Sequence, residues 1–194
     1  MNDEIVDRGK REFFKEAFSF LGNTVGEMVK SKTDISPETR RIIRPPGAVR
    51  EKEFLDLCTR CDECLKACSQ GSIRKLNKDF GIADGTPIIV PEEVPCYLCD
   101  DFPCIRACEE DALQWLSAKE DVDMGTAYIN RSNCMAWGAQ YCEHCVRNCP
   151  IPGAIYLEEG KPIVKRDRCV GCGICENVCN TVNQPLAIKV VPER

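Results

Sequence analysis

Sixteen cysteines in a chain of 194 residues fall into four sets of four, with none left over. In chain order, motifs I to IV are Cys58, Cys61, Cys64, Cys68; Cys96, Cys99, Cys104, Cys108; Cys134, Cys142, Cys145, Cys149; and Cys169, Cys172, Cys175, Cys179. Motifs I and IV read C-x2-C-x2-C-x3-C, the run that holds a bacterial-type [4Fe–4S] cluster, and motifs II and III each lengthen one gap. The pattern predicts four [4Fe–4S] clusters, so the fold must supply loops that wrap them.

The spacing has a stereochemical reason. Three thiolates two residues apart, in a loop that curls around a cube of iron and sulfide, each reach a different iron while backbone N–H groups point at the sulfurs. The fourth iron lies on the far side of the cube, so the last cysteine of each motif serves a neighbouring cluster. We therefore expect the motifs to work in pairs.

Three other uses of cysteine fit the spacing less well. A disulfide scaffold belongs to short secreted chains that cannot build a core. Zinc sites use C-x2-C pairs a dozen or more residues apart, commonly with histidines, and this chain has one histidine. A thioredoxin-like C-x-x-C pair would not need to be repeated four times.

Short apolar or β-branched runs predict strands, and short helices are expected after the fourth cysteines. The predicted strands are Ile88–Val90, Ala127–Ile129, Ala154–Leu157, Ile163–Val164 and Ala187–Val191. Residues 158–162, Glu-Glu-Gly-Lys-Pro, predict a hairpin turn between two of them. The unit of motif, helix, strand, turn, strand and motif is that of a two-cluster ferredoxin module, so the fold class is α+β with two such modules.

Several segments together resemble the NapG/MauM-type polyferredoxins. These are Arg-Pro-Pro-Gly-Ala at residues 44–48, Val-Pro-Cys-Tyr-Leu-Cys-Asp-Asp-Phe-Pro-Cys at 94–104, and the seven-residue gap between Cys134 and Cys142. The resemblance covers about residues 42 to 192. It implies four [4Fe–4S] clusters and an association with quinol oxidation for periplasmic nitrate reductase or with methylamine dehydrogenase assembly.

More widely, the chain resembles the four-cluster subunits of molybdenum and tungsten oxidoreductases, in which motif I pairs with IV and II with III. Carried over, this implies clusters on Cys58, Cys61, Cys64 with Cys179; Cys169, Cys172, Cys175 with Cys68; Cys96, Cys99, Cys104 with Cys149; and Cys134, Cys142, Cys145 with Cys108. It implies two pseudo-symmetric bacterial 2[4Fe–4S] modules, one inserted in the other. The outer module is residues 46–85 and 159–194, and the inner one is 86–158.

Residues 1–45 form an N-terminal extension. Phe14, Phe18, Leu21, Val25 and Met28 recur at helical spacing, which predicts an amphipathic helix over residues 10 to 30. Its apolar stripe could pack on the chain's own core, dock a partner subunit or a second copy, or lie on a membrane surface.

The extension also bears on localisation. Relatives of this type bear a twin-arginine export signal, whereas this chain has Lys-Arg-Glu-Phe-Phe at residues 10–14. We read the signal as absent and expect a cytoplasmic protein, the alternative being export through a degenerate signal. No stretch approaches the length of a membrane span.

Charge narrows the choice of partners. The formal net charge is −5, and sixteen thiolates around four cubes of about 2+ each would bring it to roughly −13, which disfavours nucleic acid. Acidic residues flank motif II and basic residues lead into motif IV, either as solvated faces or as surfaces of opposite sign for different partners. The acidic set is Asp100, Asp101, Glu109, Glu110, Asp111, Glu120, Asp121 and Asp123, and the basic set is Lys161, Lys165, Arg166 and Arg168.

The positions of the histidine and of three aromatic residues relative to the cysteines predict their roles. His144, between Cys142 and Cys145, is expected to adjust a cluster's potential and not to ligate iron. Trp137 and Tyr141 are expected to shield a cluster from water, and Trp115 to lie in the core.

Two function classes follow. The first is a non-catalytic electron-transfer subunit of anaerobic metabolism, relaying electrons between a catalytic oxidoreductase subunit or quinol dehydrogenase and a second donor or acceptor. The second is a maturation or redox-sensing factor for another enzyme. A full set of cysteines for every iron favours the first, because a catalytic cluster would lack a ligand.

Overall fold

The computed structural model describes residues 42–77 and 80–192. The extension, with the helix expected over residues 10 to 30, lies outside these residues, and its docking alternatives stay predictions. In the described part, the mixture of short helices and short strands confirms the α+β class.

Among the described residues, five short α-helices each carry the third cysteine of a motif or lead into a motif, and 3-10 turns lie at Gly81–Ala83 and Lys119–Asp121. The α-helices are α1 Glu51–Leu57, α2 Glu63–Ala67, α3 Pro103–Arg106, α4 His144–Arg147 and α5 Ile174–Val182. From α2 onward, the third cysteine of each motif is the second residue of its helix. Pro103 opens α3, where its fixed φ suits the first turn and its missing N–H leaves no helical hydrogen bond unmade.

Within the part of the chain that the structure describes, six strands form three antiparallel pairs. They are β1 Ile73–Lys75, β2 Pro87–Ile89, β3 Thr126–Ile129, β4 Ile155–Glu158, β5 Lys161–Val164 and β6 Ile188–Val191. Strands were predicted at β2 to β6, and the structure confirms each within two residues. β1 was not predicted, because a three-residue Ile-Arg-Lys segment has no readable period.

Two of the pairs are hairpins between consecutive motifs. β1 pairs with β2, Ile73 opposite Ile89, between motifs I and II, and β4 pairs with β5, Ile155 opposite Val164, between motifs III and IV. The predicted turn at 158–162 is confirmed. Its two central residues, Glu159 and Gly160, have φ of 51° and 77°, the left-handed values of a tight hairpin turn.

A second pairing closes each half of the chain. In the first half, Ala48 bridges Leu113, and the Gln114 N–H donates to the Gly47 carbonyl at 2.7 Å. In the second half, β3 pairs with β6, Thr126 opposite Val191. Each half thus runs from an outer segment to motif, hairpin, motif and a returning outer segment; the outer segments form an isolated bridge in the first half and a strand pair in the second.

The strand pairing corrects the domain boundaries implied by the resemblance. Residues 46–85 were expected to pair with 159–194 around an inner module at 86–158. The outer strand contacts instead close within residues 48–113 and within 126–191, so the halves follow each other in tandem. The physical reason is local: a short hairpin between consecutive motifs brings those two motifs together, with little loop-closure entropy lost.

The halves meet at a junction around Pro91. The Cys96 N–H donates to the Cys172 carbonyl at 2.9 Å, and the Asn177 Nδ2 donates to the Pro91 carbonyl at 3.1 Å. Gly173, with φ of 84°, lies against Pro91 so closely that an added Cβ would be 2.5 Å from the proline Cβ. The junction therefore brings motif II against motif IV.

Candidate metal centres

Cysteines from two motifs line each of three cavities in a three-plus-one pattern. Quartet 1 is Cys58, Cys61, Cys64 and Cys108; quartet 3 is Cys169, Cys172, Cys175 and Cys149; quartet 4 is Cys134, Cys142, Cys145 and Cys179. The rest of each lining is largely apolar, with Phe54 and Leu113 at quartet 1 and Ile129 and Ile188 at quartet 4. These apolar side chains limit the access of water to the sulfurs, although Arg60, Asp62 and Glu110 also line the quartet 1 cavity and Cys61 is exposed.

Quartet 2, made of Cys96, Cys99, Cys104 and Cys68, is identified by the mutual influence of its thiols. Burial first, and then the neighbouring sulfurs of the set, raise the pKa of Cys96 to about 11 and that of Cys104 to about 12. The pKa of Cys99 is raised by burial and then by Cys68. The geometry agrees, because the Ser72 N–H donates to the Cys68 Sγ at 3.3 Å while the Ser72 Oγ donates at 2.7 Å to the carbonyl of Pro95, the residue before Cys96. Cys68 is therefore the fourth member of a set whose other three come from motif II.

These groupings correct the ones implied by the resemblance. Motifs I and II exchange their fourth cysteines: Cys108 completes the motif I set in place of Cys179, and Cys68 completes the motif II set in place of Cys149. Motifs III and IV do the same: Cys179 completes the motif III set in place of Cys108, and Cys149 completes the motif IV set in place of Cys68. The expectation from the spacing alone, that each fourth cysteine serves a neighbouring set, agrees with this exchange. The tandem hairpins decide which motif is the neighbour.

The quartets are neighbours in the order 1, 2, 3 and 4, and the hydrogen bond between Cys96 and Cys172 joins quartets 2 and 3 directly. After burial itself, Cys64 of quartet 1 is among the thiols that raise the pKa of Cys104 in quartet 2. Cys96 of quartet 2 acts likewise on Cys172 of quartet 3, and Cys145 of quartet 4 acts on Cys175 of quartet 3. Quartets 1 and 4 are therefore the two ends, and quartets 2 and 3 meet across the junction.

Burial leaves most of these thiols short of a compensating positive charge. It raises the pKa of Cys64, Cys145 and Cys172 to about 12, and that of Cys175 well above its ordinary value. The thiolate, not the thiol, is the metal ligand. A strongly cationic group inside each quartet would supply the missing charge, so the residues present fit an iron–sulfur cube.

Backbone N–H groups also favour the thiolate form. The Ser72 N–H donates to the Cys68 Sγ at 3.3 Å, and the Ala127 N–H donates to the Cys169 Sγ at 3.4 Å. At Cys96 and Cys172, the N–H two residues further on lowers a pKa that burial raises. Hydrogen bonds of this kind tune cluster potentials.

The loops of motifs I, II and IV share one backbone curl. Two residues in each have left-handed φ at equivalent positions: Arg60 and Asp62, Leu98 and Phe102, and Gly171 and Gly173. In motif III, residues 135–139 form turns, and Glu143, at the second equivalent position, has φ of −136°. Side chains thus stand where glycine would be easier, and Arg60 is held by donating to the Asp84 and Ile82 carbonyls.

Three aromatic or imidazole assignments have different outcomes. His144 lines the quartet 4 cavity as the first residue of α4. Trp137 is half-buried, and its Nε1 donates at 3.4 Å to the carbonyl of Pro162, which lines the same cavity. Tyr141 is 85% exposed, so the expectation that it shields a cluster is wrong. The turns of motif III bury Ala136 and leave Tyr141 outside.

The assignment of Trp115 to the core is also wrong. It is 64% exposed, because the chain leaves the outer strand contact at Gln114 and Trp115 follows on the solvent side.

Two kinds of feature are absent from residues 42–77 and 80–192. No group of three or more His, Cys, Asp or Glu side chains in these ranges converges closely enough to hold a single metal ion. Within the same ranges, no helix has the length and apolar character needed to cross a membrane.

Comparison with known proteins gives several relatives across most of the chain. The methylamine utilization ferredoxin-type protein MauM of Paracoccus denitrificans is 41% identical over 168 residues, 81% of this chain and 74% of the relative. The ferredoxin-type protein NapG of Escherichia coli is 34% identical over 200 residues, 95% and 86%. MauM of Methylophilus methylotrophus is 34% identical over 203 residues, 97% and 89%. No family model and no solved structure matches the chain.

Proposed function

The chain belongs to the NapG/MauM family of ferredoxin-type proteins, an iron–sulfur electron-transfer family, and from that premise we propose that it is a polyferredoxin subunit with four [4Fe–4S] clusters. In this proposal it relays electrons between a redox-enzyme partner and a second donor or acceptor. The partner would be a catalytic oxidoreductase subunit or a quinol dehydrogenase.

The observation that carries the proposal is the order of four neighbouring three-plus-one quartets. A [4Fe–4S] cube takes one thiolate per iron, and each quartet offers four. When bound, such a cube stores and releases single electrons. The chain's own contribution is to ligate, to limit the access of water with apolar side chains, and to set each potential through N–H donors to sulfur.

The quartet geometry also separates this proposal from zinc binding. A structural zinc ion needs four ligands about 2.3 Å from one point. The described thiols line cavities and form no single-ion site. An extended group bridging four separate sulfurs suits this arrangement better than one ion does.

A non-catalytic role is part of the proposal. Each quartet has its full complement of cysteines, so no iron is left open for a substrate. Side chains lining the cavities at quartets 1 and 4 are mostly apolar, which suits insulation.

The experiment is to purify the full chain without oxygen and to measure iron and acid-labile sulfide per chain. We expect about sixteen of each, because four cubes hold four irons apiece. Stepwise reduction followed by electron paramagnetic resonance should show clusters that reduce and reoxidise reversibly. Iron near eight, or stoichiometric zinc, contradicts the proposal.

A further inference from the structure

We propose that the quartet 4 end of the molecule docks the acidic surface of a partner redox protein, through a basic rim made of Arg131, Lys161, Lys165 and Arg166. The inference rests on the proposed electron-transfer function and assigns one end of the relay to one kind of partner. The partner is defined by chemistry: a protein with a negatively charged face over its own redox centre.

The cations of the basic rim are held in place by aromatic rings. Arg131 and Lys161 both lie over the Trp137 ring, at 4.1 and 5.2 Å from its centroid. Lys165 lies over Tyr156 at 5.3 Å and Arg166 over Tyr128 at 4.5 Å. Because stacking restricts the motion of long side chains, less conformational entropy is lost when these cations meet a partner.

Two cations of the basic rim, Arg131 and Lys161, lie beside quartet 4 through their contact with Trp137. Lys165 and Arg166 continue the rim toward quartet 3, where the Cys169 N–H donates to the Lys165 carbonyl at 3.0 Å. Trp137 belongs to the long gap of motif III, and its Nε1 donates to the carbonyl of Pro162. Pro162 lines the quartet 4 cavity, and Lys161 precedes it in β5. A protein seated on the rim is therefore placed next to an end of the relay, where an electron must enter or leave.

The charge of the molecule is divided between its halves. Residues 42–121 carry ten Lys or Arg against sixteen Asp or Glu, whereas residues 122–192 carry seven against six. Acidic side chains near the rim are Glu143, Glu158, Glu159 and Asp167, and Glu158 lies opposite Lys161 in the hairpin. Two bound cubes with their eight thiolates add roughly −4 to each half, so the first half is near −10 and the second near −3. An approaching acidic protein is thus repelled less by the second half than by the first and is oriented toward it, and the basic rim supplies the local attraction there.

Exposed apolar groups accompany the charges at this end. Tyr141, between Trp137 and Cys142 in the sequence, is 85% exposed, and Val182, which lines the quartet 4 cavity, is 37% exposed. Arg, Tyr and Trp are the residues enriched at protein interfaces. This combination suits a protein partner, whereas a nucleic acid would extend over the acidic half and be repelled there.

The test follows electron transfer from a reduced, acidic plant-type [2Fe–2S] ferredoxin used as the probe. One electron leaves the ferredoxin, which is oxidised, and one oxidised cluster of this protein is reduced. In stopped-flow mixing at low salt, the variant R131E/K161E should have a second-order rate constant at least about tenfold below the wild type. The wild-type rate should fall steeply as salt is added, and the variant rate should change little.

Two controls make the result specific. R50E/K52E makes the same change in charge on exposed residues at the start of α1 in the first half, and should leave the ferredoxin rate within about twofold of the wild type. The charge-neutral variant R131Q/K161Q should have a second-order rate constant between those of the wild type and R131E/K161E. It tests the same surface if charge reversal impairs folding. All variants should keep the wild-type iron content.

The outcomes separate this inference from the proposed function. If the wild type holds its clusters and dithionite reduces them, but both charge-reversal variants slow the ferredoxin equally, the docking site is wrong and the relay stands. If the rate is insensitive to salt and to R131E/K161E, the inference is likewise overturned. A purified protein without reducible clusters refutes the proposed function itself.

Discussion

The junction between the two halves depends on glycine at position 173, and replacing it with alanine should weaken the molecule there. Gly173 has φ of 84°, and an added Cβ would lie 2.5 Å from the Cβ and 2.7 Å from the Cγ of Pro91. The left-handed backbone alone costs an alanine about 1–2 kcal/mol. Forcing the methyl group against the proline ring adds about 1–3 kcal/mol.

Gly160→Ala is the matched control. Gly160 has φ of 77° and no heavy atom within 4 Å of an added Cβ, so the control carries the backbone cost without the clash. The difference between the two variants, about 1–3 kcal/mol, isolates contact across the junction. If that contact is broken in the unfolding transition state, Gly173→Ala should unfold roughly 5- to 150-fold faster than Gly160→Ala.

The assay is kinetic, because a protein with bound clusters does not unfold as a reversible two-state system. Loss of the visible cluster absorbance is followed after anaerobic mixing with guanidinium chloride. Equal rates for the two variants would refute the packing of α5 on Pro91.

Two further predictions concern buried polar groups. Arg44 is 7% exposed, donates to both Glu51 carboxylate oxygens at 2.9 and 2.6 Å, and lies over the Phe54 ring at 4.5 Å. Arg44→Met leaves the Glu51 carboxylate without its partner, so it should lower the free energy of unfolding by about 3–5 kcal/mol and speed cluster loss in guanidinium chloride. The double variant R44M/E51Q should recover part of that loss of stability. Asn183 donates to the Asn133 and Pro185 carbonyls at 2.9 and 2.7 Å beside the quartet 4 cavity. Asn183→Ala should therefore lower the free energy of unfolding by about 1–3 kcal/mol, read in the same assay. Replacing the exposed neighbour, Gln184→Ala, should lower it by less than about 1 kcal/mol. Wild-type rates for Arg44→Met or Asn183→Ala would contradict these contacts.

Much of the site could be predicted from the sequence, because ligand spacing is a local property. The gaps between cysteines identify the loops, and the exchange of the fourth cysteine follows from the shape of a cube. The strands β2 to β6 and the turn at Glu159 and Gly160 were also readable, since their signals lie within a few residues.

The partner of each motif was not readable, because it depends on strand pairing between distant segments. The contact of Ala48 with Leu113 and the pairing of β3 with β6 close the two halves separately. The residue types in these two contacts do not indicate whether the modules follow each other in tandem or are nested one in the other. The resemblance to the four-cluster subunits of molybdenum and tungsten oxidoreductases implied the wrong quartets for Cys108 and Cys179.

Glycine was an incomplete guide to the loops. Gly171 and Gly173 lie tightly against other segments, because a Cβ added to Gly171 would meet the Gly125 backbone and one added to Gly173 would meet Pro91. Arg60 and Asp62 adopt the same left-handed values in motif I without being glycines. The left-handed curl of the loop therefore does not require glycine. Gly171 and Gly173 are needed because other segments pack closely against them.

The central claim is that consecutive motifs exchange their fourth cysteines, and iron counts of two double variants test it directly. Cys61→Ala and Cys108→Ala remove ligands from one quartet, so C61A/C108A should keep about twelve irons per chain. C61A/C179A removes ligands from quartets 1 and 4 and should keep about eight. The reverse result, eight irons for C61A/C108A and twelve for C61A/C179A, would contradict the tandem relay.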